Sequence, residues 1–287
     1  MSRDPRQHCR LVRWMSNEQT HFLRYERYSK YSYESSGYKK LDYIVKKIQT
    51  AFGSAKCRIL EIGCGNGNLS TVLASYGHEV LAIDVSEDCT RYAAALKEKL
   101  NLKNLRFKVS NAAEIHRVDE PFDVVICSEV LEHLDDPESV VSKAYSVLKP
   151  GGILIVTVPN GFGPWELSVK IGSKLSGLIS KNAELENLWR SLSALSKQLS
   201  SGDKCVQSVN AGDGSAHIQF FTRKQLRQIF LAARFRVIAS GSSDFIAHAA
   251  PFSALILKSK LRCRIDFALA DILPSVAVSG WYFTLKK

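Results

Sequence analysis

From Arg58 onward the chain repeats one pattern: a short apolar run, a turn, then a segment with apolar residues at helical spacing. "RILEI" precedes "NLSTVLASYG", "EVLAID" precedes "SEDCTRYAAALKEKL", and "FDVVIC" leads to a segment opened by Asp136-Pro137-Glu138. "LRFKVS" and "ILIVTV" are further runs of the same kind. Unbroken apolar runs read as strands buried on both faces, and strands that alternate with helices pair in parallel. The pattern predicts an α/β fold with helices on both faces of the sheet. Ser86 is placed to cap one helix, and Asp136 with Pro137 to open another. Gly53 ends a helix carrying Leu41, Ile44, Val45, Ile48 and Phe52, and Lys149-Pro150-Gly151-Gly152 reads as a turn. Late in the chain Thr222 caps "RKQLRQIFLAAR", and "FRVIAS" and "SGWYFTLKK" read as strands. The basic, partly apolar stretch between those two strands suggests no element.

The rhythm breaks after Pro159, where about 60 residues pass before Thr222, far more than an ordinary loop. Residues 161–216 contain leucines at helical spacing (Leu167, Ile171, Leu175, Leu178; Leu188, Leu192, Leu195, Leu199) and read as a helical lid insertion. Residues 1–40 form a basic, tyrosine-rich segment, and 41–287 the main domain. A net charge of +11 favours anionic partners: nucleic acid, phosphorylated or lipid-linked substrates, or an acidic membrane face. No run reaches the roughly 18–20 apolar residues of a membrane span, and "MSRDPRQHCRLVRW" lacks the apolar core of a secretory signal. Seven cysteines at irregular spacing, without a CxxC pair, fit reduced thiols. The expectation is a cytoplasmic protein with peripheral contact to a membrane.

"EIGCGNGN", Glu61 to Asn68, is the first turn with chemical content. Glycine-rich turns between strand and helix commonly cradle phosphates. Here Glu61 precedes the glycines and would repel a phosphate at close range. The spacing is GxGxG rather than GxGxxG, and no Lys-Ser or Lys-Thr follows, which argues against a dinucleotide or a P-loop. Asp84 ends the second run, where an acid can accept hydrogen bonds from both ribose hydroxyls of a nucleoside. A nucleoside that carries positive charge and no phosphate is S-adenosyl-L-methionine.

"ILEIGCGNGNLS", "VLAIDVSED", "FDVVICSEVLEHLDDPESVVSKAYSVLKPGGILIVTVPN" and "HIQFFTRKQLRQIF" together resemble class I S-adenosylmethionine-dependent methyltransferases, in particular the ubiquinone-biosynthesis O-methyltransferase group. The resemblance covers residues 41–160 and 217–286. It implies a doubly wound seven-stranded, mostly parallel sheet in the order 3-2-1-4-5-7-6, strand 7 antiparallel, with an insertion after strand 5. It further implies that Glu61, Gly63 and Gly65 line the methionine part of the cofactor. Asp84 would hold the ribose with Val85 beside the adenine, and Asn111 and Ala112 would sit at the adenine edge, Asn111 through its amide oxygen. Ser128 and Glu129 would lie near the methyl group. Gly67 is read either as part of the ligand loop or as a packing glycine.

Methyl transfer is an in-line displacement, so the enzyme chiefly aligns nucleophile, methyl and sulfur. A hydroxyl nucleophile also needs a base, for which His133 and His217 are the candidates. Glu129, Glu132 and His133 form an ExxEH pattern that binds Mg²⁺ in some resembling enzymes. The alternatives are substrate contact and bracing of the loop, and the reading adopted has no metal. The expected activity is O-methylation of a hydroxyl on a small molecule, glycan or lipid-linked sugar. The alternatives are an RNA 2′-O-methyltransferase and a non-catalytic cofactor-binding partner subunit.

Overall fold

A computed structural model describes residues 36–117, 120–164, 218–246 and 260–287, with the side chains of 36–38, 116–117 and 260 left aside. The basic segment up to residue 35, His217 and all but the first four residues of the 161–216 insertion lie outside the described residues.

In chain order the elements are α1 (Ser36–Phe52), β1 (Arg58–Ile62), α2 (Asn68–Ser75), β2 (Glu79–Asp84), α3 (Glu87–Lys99) and β3 (Leu105–Val109). A 3₁₀ turn (Ala112–Arg117), β4 (Phe122–Ser128), a second 3₁₀ turn (Leu131–His133), α4 (Pro137–Val147) and β5 (Leu148–Pro159) follow. The described chain ends with α5 (Arg223–Ala232), β6 (Arg236–Ser242), α6 (Lys260–Ile272) and β7 (Gly280–Lys286). The seven strands order as β3-β2-β1-β4-β5-β7-β6, with β7 antiparallel to both neighbours. This is the expected sheet.

The central strands serve two cores because successive side chains point to opposite faces. Leu60 and Ile62 pack with Val125, Leu154, Val156, Phe230 and Phe283 on one face. Ile59 packs with Val80, Ala82, Ile126 and Ile155 against Ile44 and Ile48 of α1 on the other. The caps form as expected: Ser86 Oγ accepts from Cys89 N–H, Asp136 Oδ1 from Ser139 N–H, and Thr222 forms a full capping box with Gln225.

Two elements differ from the expectation. Lys149-Pro150-Gly151-Gly152 does not separate α4 from β5 but forms a bulge inside β5, between the pairs Phe122–Leu148 and Val124–Ile153. Gly151 takes φ +77° there, and Lys149 Nζ pairs with Asp123 at 2.8 Å. The stretch before the last strand contains α6, which was not expected.

The chain crosses from edge strand β3 to β4 beside β1, so a crevice opens beyond the carboxyl ends of β1 and β4, where open parallel sheets bind ligands. Gly67 supports it from beneath. Its φ is +73°, and a Cβ there would lie 2.6 Å from the Phe107 ring and 2.9 Å from Ala93 Cβ. Gly67 is therefore the packing glycine. Gly67→Ala should cost about 2 kcal/mol or more, because left-handed strain of about 1–2 kcal/mol adds to overpacking of about 1–3. Urea unfolding at constant m-value checks this.

Candidate active site

The residues that end β1 and β2 form the floor of the crevice. Gly63 N–H and Cys64 N–H both donate to Ile83 O, at 2.8 and 3.0 Å. Gly65 N–H donates to Asp84 Oδ2 at 2.7 Å, and Ser86 N–H to Asp84 Oδ1 at 2.9 Å. Asp84 therefore fastens the glycine loop to the second strand. Its carboxylate keeps lone pairs for a ligand hydroxyl, since each oxygen carries two. At Gly65, φ is +49° and a Cβ would meet nothing within 4 Å. The loop thus offers bare backbone to a cleft of about 1270 Å³. That exceeds the roughly 300–1,000 Å³ of an ordinary small-molecule site, leaving room for a nucleoside and a second reactant.

Glu61, Gly63, Gly65, Asp84, Val85, Asn111, Ala112, Ser128 and His133 all line this one cleft. Val85 is largely exposed at its edge. Asn111 Oδ1 accepts from Ala113 N–H at 2.8 Å, so the amide oxygen assigned to adenine is already turned into the 3₁₀ turn and has one remaining lone pair. Glu129 takes a left-handed backbone, φ +56°, rare for a non-glycine residue. Thr157 Oγ1 donates to Glu129 Oε1 at 2.7 Å, and Ser128 Oγ lies 2.9 Å from Thr157 Oγ1. Lys40 Nζ lies 3.9 Å from the same Glu129 oxygen.

Glu129, Glu132 and His133 do not converge. Glu129 and His133 line the cleft, whereas Glu132 is buried at 1% exposure and is not part of its wall. The left-handed turn at Glu129 and the tight 3₁₀ turn after it separate side chains that the spacing put together. Among the described residues no group of three or more His, Cys, Asp or Glu side chains is arranged to hold a metal. The Glu132 carbonyl instead accepts from Ile218 N–H and Gln219 N–H at 3.0 and 3.1 Å, and Gln219 Nε2 donates to Leu134 O at 2.8 Å. This clasp holds the chain that follows the insertion against the cleft loop.

Lys40 is the functional candidate that the sequence did not reveal. It lies on α1 with Leu41 and Ile44, which also line the cleft. Its charge reaches both Glu129 and Glu61. Glu61 is buried at 3% exposure, and Ser70 Oγ donates to its Oε2. Burial pushes its carboxyl up to about 8; the Ser70 bond and the Lys40 charge oppose the rise, and Asp84 adds to it. The cleft as a whole is acidic: Glu61, Asp84, Asp88, Glu129, Asp135 and Asp136 line it against Lys40 and Lys143. Such a site attracts cations and disfavours polyanions.

The raised Glu61 carboxyl makes stability depend on pH. The folded value lies above the unfolded one, so the favourable contribution is complete below about pH 4.5 and is lost as pH rises to about 8. Glu61→Gln, whose carbonyl can still accept from Ser70, should melt closer to wild type at acid pH. It should become progressively more stable than wild type toward pH 8, by up to about 1.4 kcal/mol per pH unit. Thermal melts across that range without ligand check the trend.

The chain matches the methyltransferase-domain family over residues 33–240. Among curated proteins it is 30% identical over 145 residues to the ubiquinone biosynthesis O-methyltransferase of Rickettsia canadensis, a match covering 50% of this chain and 61% of that one. The first such relatives are matched over only 48% to 61% of their own length. Two solved structures share the fold. Magnesium protoporphyrin IX methyltransferase from Synechocystis, with bound SAH, has a TM-score of 0.53 at 16% identity, covering 88% of this chain and 83% of that one. A SAM-dependent methyltransferase from Archaeoglobus fulgidus has a TM-score of 0.51 at 16% identity, covering 87% and 94%. With the family model matched over residues 33–240, most of this chain, the chain belongs to the methyltransferase-domain family.

Proposed function

We propose that the chain transfers a methyl group from S-adenosyl-L-methionine to a hydroxyl of a small-molecule, glycan or lipid-linked acceptor. The observation that carries this reading is that Glu61, Lys40 and Asp84 line one acidic cleft. An amino-acid zwitterion needs an anion and a cation in one place, and a ribose needs an acceptor beside it. The residues fit the cofactor: bare backbone at Gly65, a buried carboxyl at Glu61 and a cation at Lys40.

When bound, the cofactor supplies a methyl group on a cationic sulfur. The protein does the rest by placement. Glu61 and the Gly63–Gly65 backbone hold the ammonium end, Lys40 the carboxylate end, and Asp84 the ribose. Val85, Asn111 and Ala112 border the base. Ionising Glu61 against an ammonium reverses its burial penalty, so binding releases a proton at neutral pH. His133, on the wall beside Ser128 and Glu129, takes the acceptor proton, and His217 is the second candidate for that role. The names of the curated relatives support oxygen as the acceptor atom. The carboxylates around the cleft favour a neutral acceptor over RNA.

Calorimetry should show S-adenosylmethionine binding, weakened by about 1–3 kcal/mol in Asp84→Ala. Lys40→Met should lower affinity for S-adenosylmethionine but not for its decarboxylated analogue. Equal losses for both would remove Lys40 from the carboxylate. His133→Ala should retain cofactor affinity and lose about 10²–10⁴-fold in turnover. Mass spectrometry of cell extract incubated with protein and methyl-labelled cofactor identifies the acceptor, and label on nitrogen or carbon alone would overturn O-methylation.

A further inference from the structure

Helix α6 carries its large aliphatic side chains on the outside, while Phe267 is half-buried. Its buried face is Cys263, Asp266 and Ala270, at 0%, 4% and 0% exposure. Opposite lie Leu261, Ile265, Leu269 and Ile272, at 67%, 51%, 42% and 81%. Their spacing of four, four and three residues draws one stripe along the helix. At about 100° per residue, Arg262 and Arg264 fall on either flank of that stripe. The rotation of the helix is fixed. The Asp266 carboxylate accepts from Phe245 N–H and Ile246 N–H at 2.9 and 3.0 Å. On the adjoining side Lys39 Nζ donates to Phe267 O at 3.0 Å and to Asp271 Oδ1 at 2.7 Å. The ridge therefore cannot turn inward without breaking these bonds.

The ridge continues past the helix end to Val276, which is 73% exposed. Neighbouring Ser275 shares a shallow depression with Arg223, Lys224 and Arg227 of α5 and with Leu231, itself 74% exposed. One surface thus combines a convex apolar ridge, guanidinium groups on both flanks and a second basic cluster at its end. Asp271, the exposed acid of α6, is paired with Lys39.

We infer that α6 lies in the plane of an anionic lipid bilayer and docks the protein there. A convex ridge enters the boundary between headgroups and acyl chains, while flanking arginines extend to lipid phosphates. Charge decides the occupant. A second copy of this chain would bring arginine against arginine, which is repulsive, whereas an acidic leaflet attracts each basic side chain. Among the described residues no helix is long and apolar enough to cross a membrane, so the contact is peripheral.

The test uses the full chain and no cofactor, so it stands or falls apart from the methyltransferase chemistry. Co-sedimentation with vesicles of phosphatidylcholine mixed with phosphatidylglycerol should recover the protein at low salt. Vesicles of phosphatidylcholine alone should not, and added salt should release it. The Ile265→Glu/Leu269→Glu double variant should lose partitioning by about tenfold or more. Arg262→Gln/Arg264→Gln should lose the preference for anionic lipid. Leu269→Trp gives a readout that does not depend on a destabilising change. Relative to wild type, the emission added by the new indole should shift to the blue with anionic vesicles and be quenched by brominated acyl chains. No recovery with anionic vesicles, or added emission that the brominated chains leave unquenched, would overturn the inference. So would a dimer in solution that the double glutamate variant converts to monomer, since the ridge would then cover a second copy.

Discussion

The cleft depends on the carboxylate of Asp84. Its two oxygens hold Gly65 N–H and Ser86 N–H, so one side chain fixes both the glycine loop after β1 and the turn after β2. Together with the bonds from Gly63 and Cys64 to Ile83 O, this lays the loop across the end of the second strand. Backbone that would otherwise be mobile becomes a wall. An acid read only as a ribose ligand thus has a structural task in the same place. A ligand hydroxyl competes for its remaining lone pairs, and removing Asp84 disturbs the loop as well as the contact. The effect of its substitution on cofactor affinity is a sum of both.

Strands, helices and caps were legible in local signals, namely apolar runs, capping residues and an acid at a strand end, whereas the sheet order and most positions around the cleft came from the family resemblance. The division of labour among the glycines was not. Gly65 and Gly67 have the same spacing and the same left-handed backbone, and only the distance to Phe107 separates packing from ligand approach. The ExxEH spacing could not by itself say where its three side chains point, for a related reason. Spacing gives side-chain direction only where the backbone is regular, and Glu129 is left-handed just before a 3₁₀ turn. Lys40 escaped because it was counted with the basic front of the chain. Helix α1 in fact begins at Ser36, which puts Lys40 on the cleft-lining face with Leu41 and Ile44.

Helix α6 carries a readable signal, Leu261, Ile265, Leu269 and Ile272 at helical spacing, in a stretch read only as basic and partly apolar. What the sequence does not show is which way the stripe faces. The inward side is Cys263, Asp266 and Ala270, and the aspartate is satisfied by two backbone N–H groups. Its orientation becomes known only with the sheet that anchors it. An element that contradicts the local pattern marks a site where selection for something other than core burial has acted.

The distribution of charge gives the two surfaces different tasks. The excess of +11 suggested anionic partners, yet the cleft is lined by six acidic residues and two lysines. Arg223, Lys224 and Arg227 of α5 lie instead beside Ser275, away from the cleft, with Arg262 and Arg264 on the flanks of the apolar ridge of α6. The two surfaces therefore differ in charge, and the acidic one suits a cationic ligand. Helix α1 joins the two. Lys39 holds α6 through Phe267 O and Asp271, and Lys40, about 100° further round the helix, faces Glu129 across the cleft. One helix thus contacts both surfaces through two consecutive lysines, because adjacent residues of a helix point to different faces.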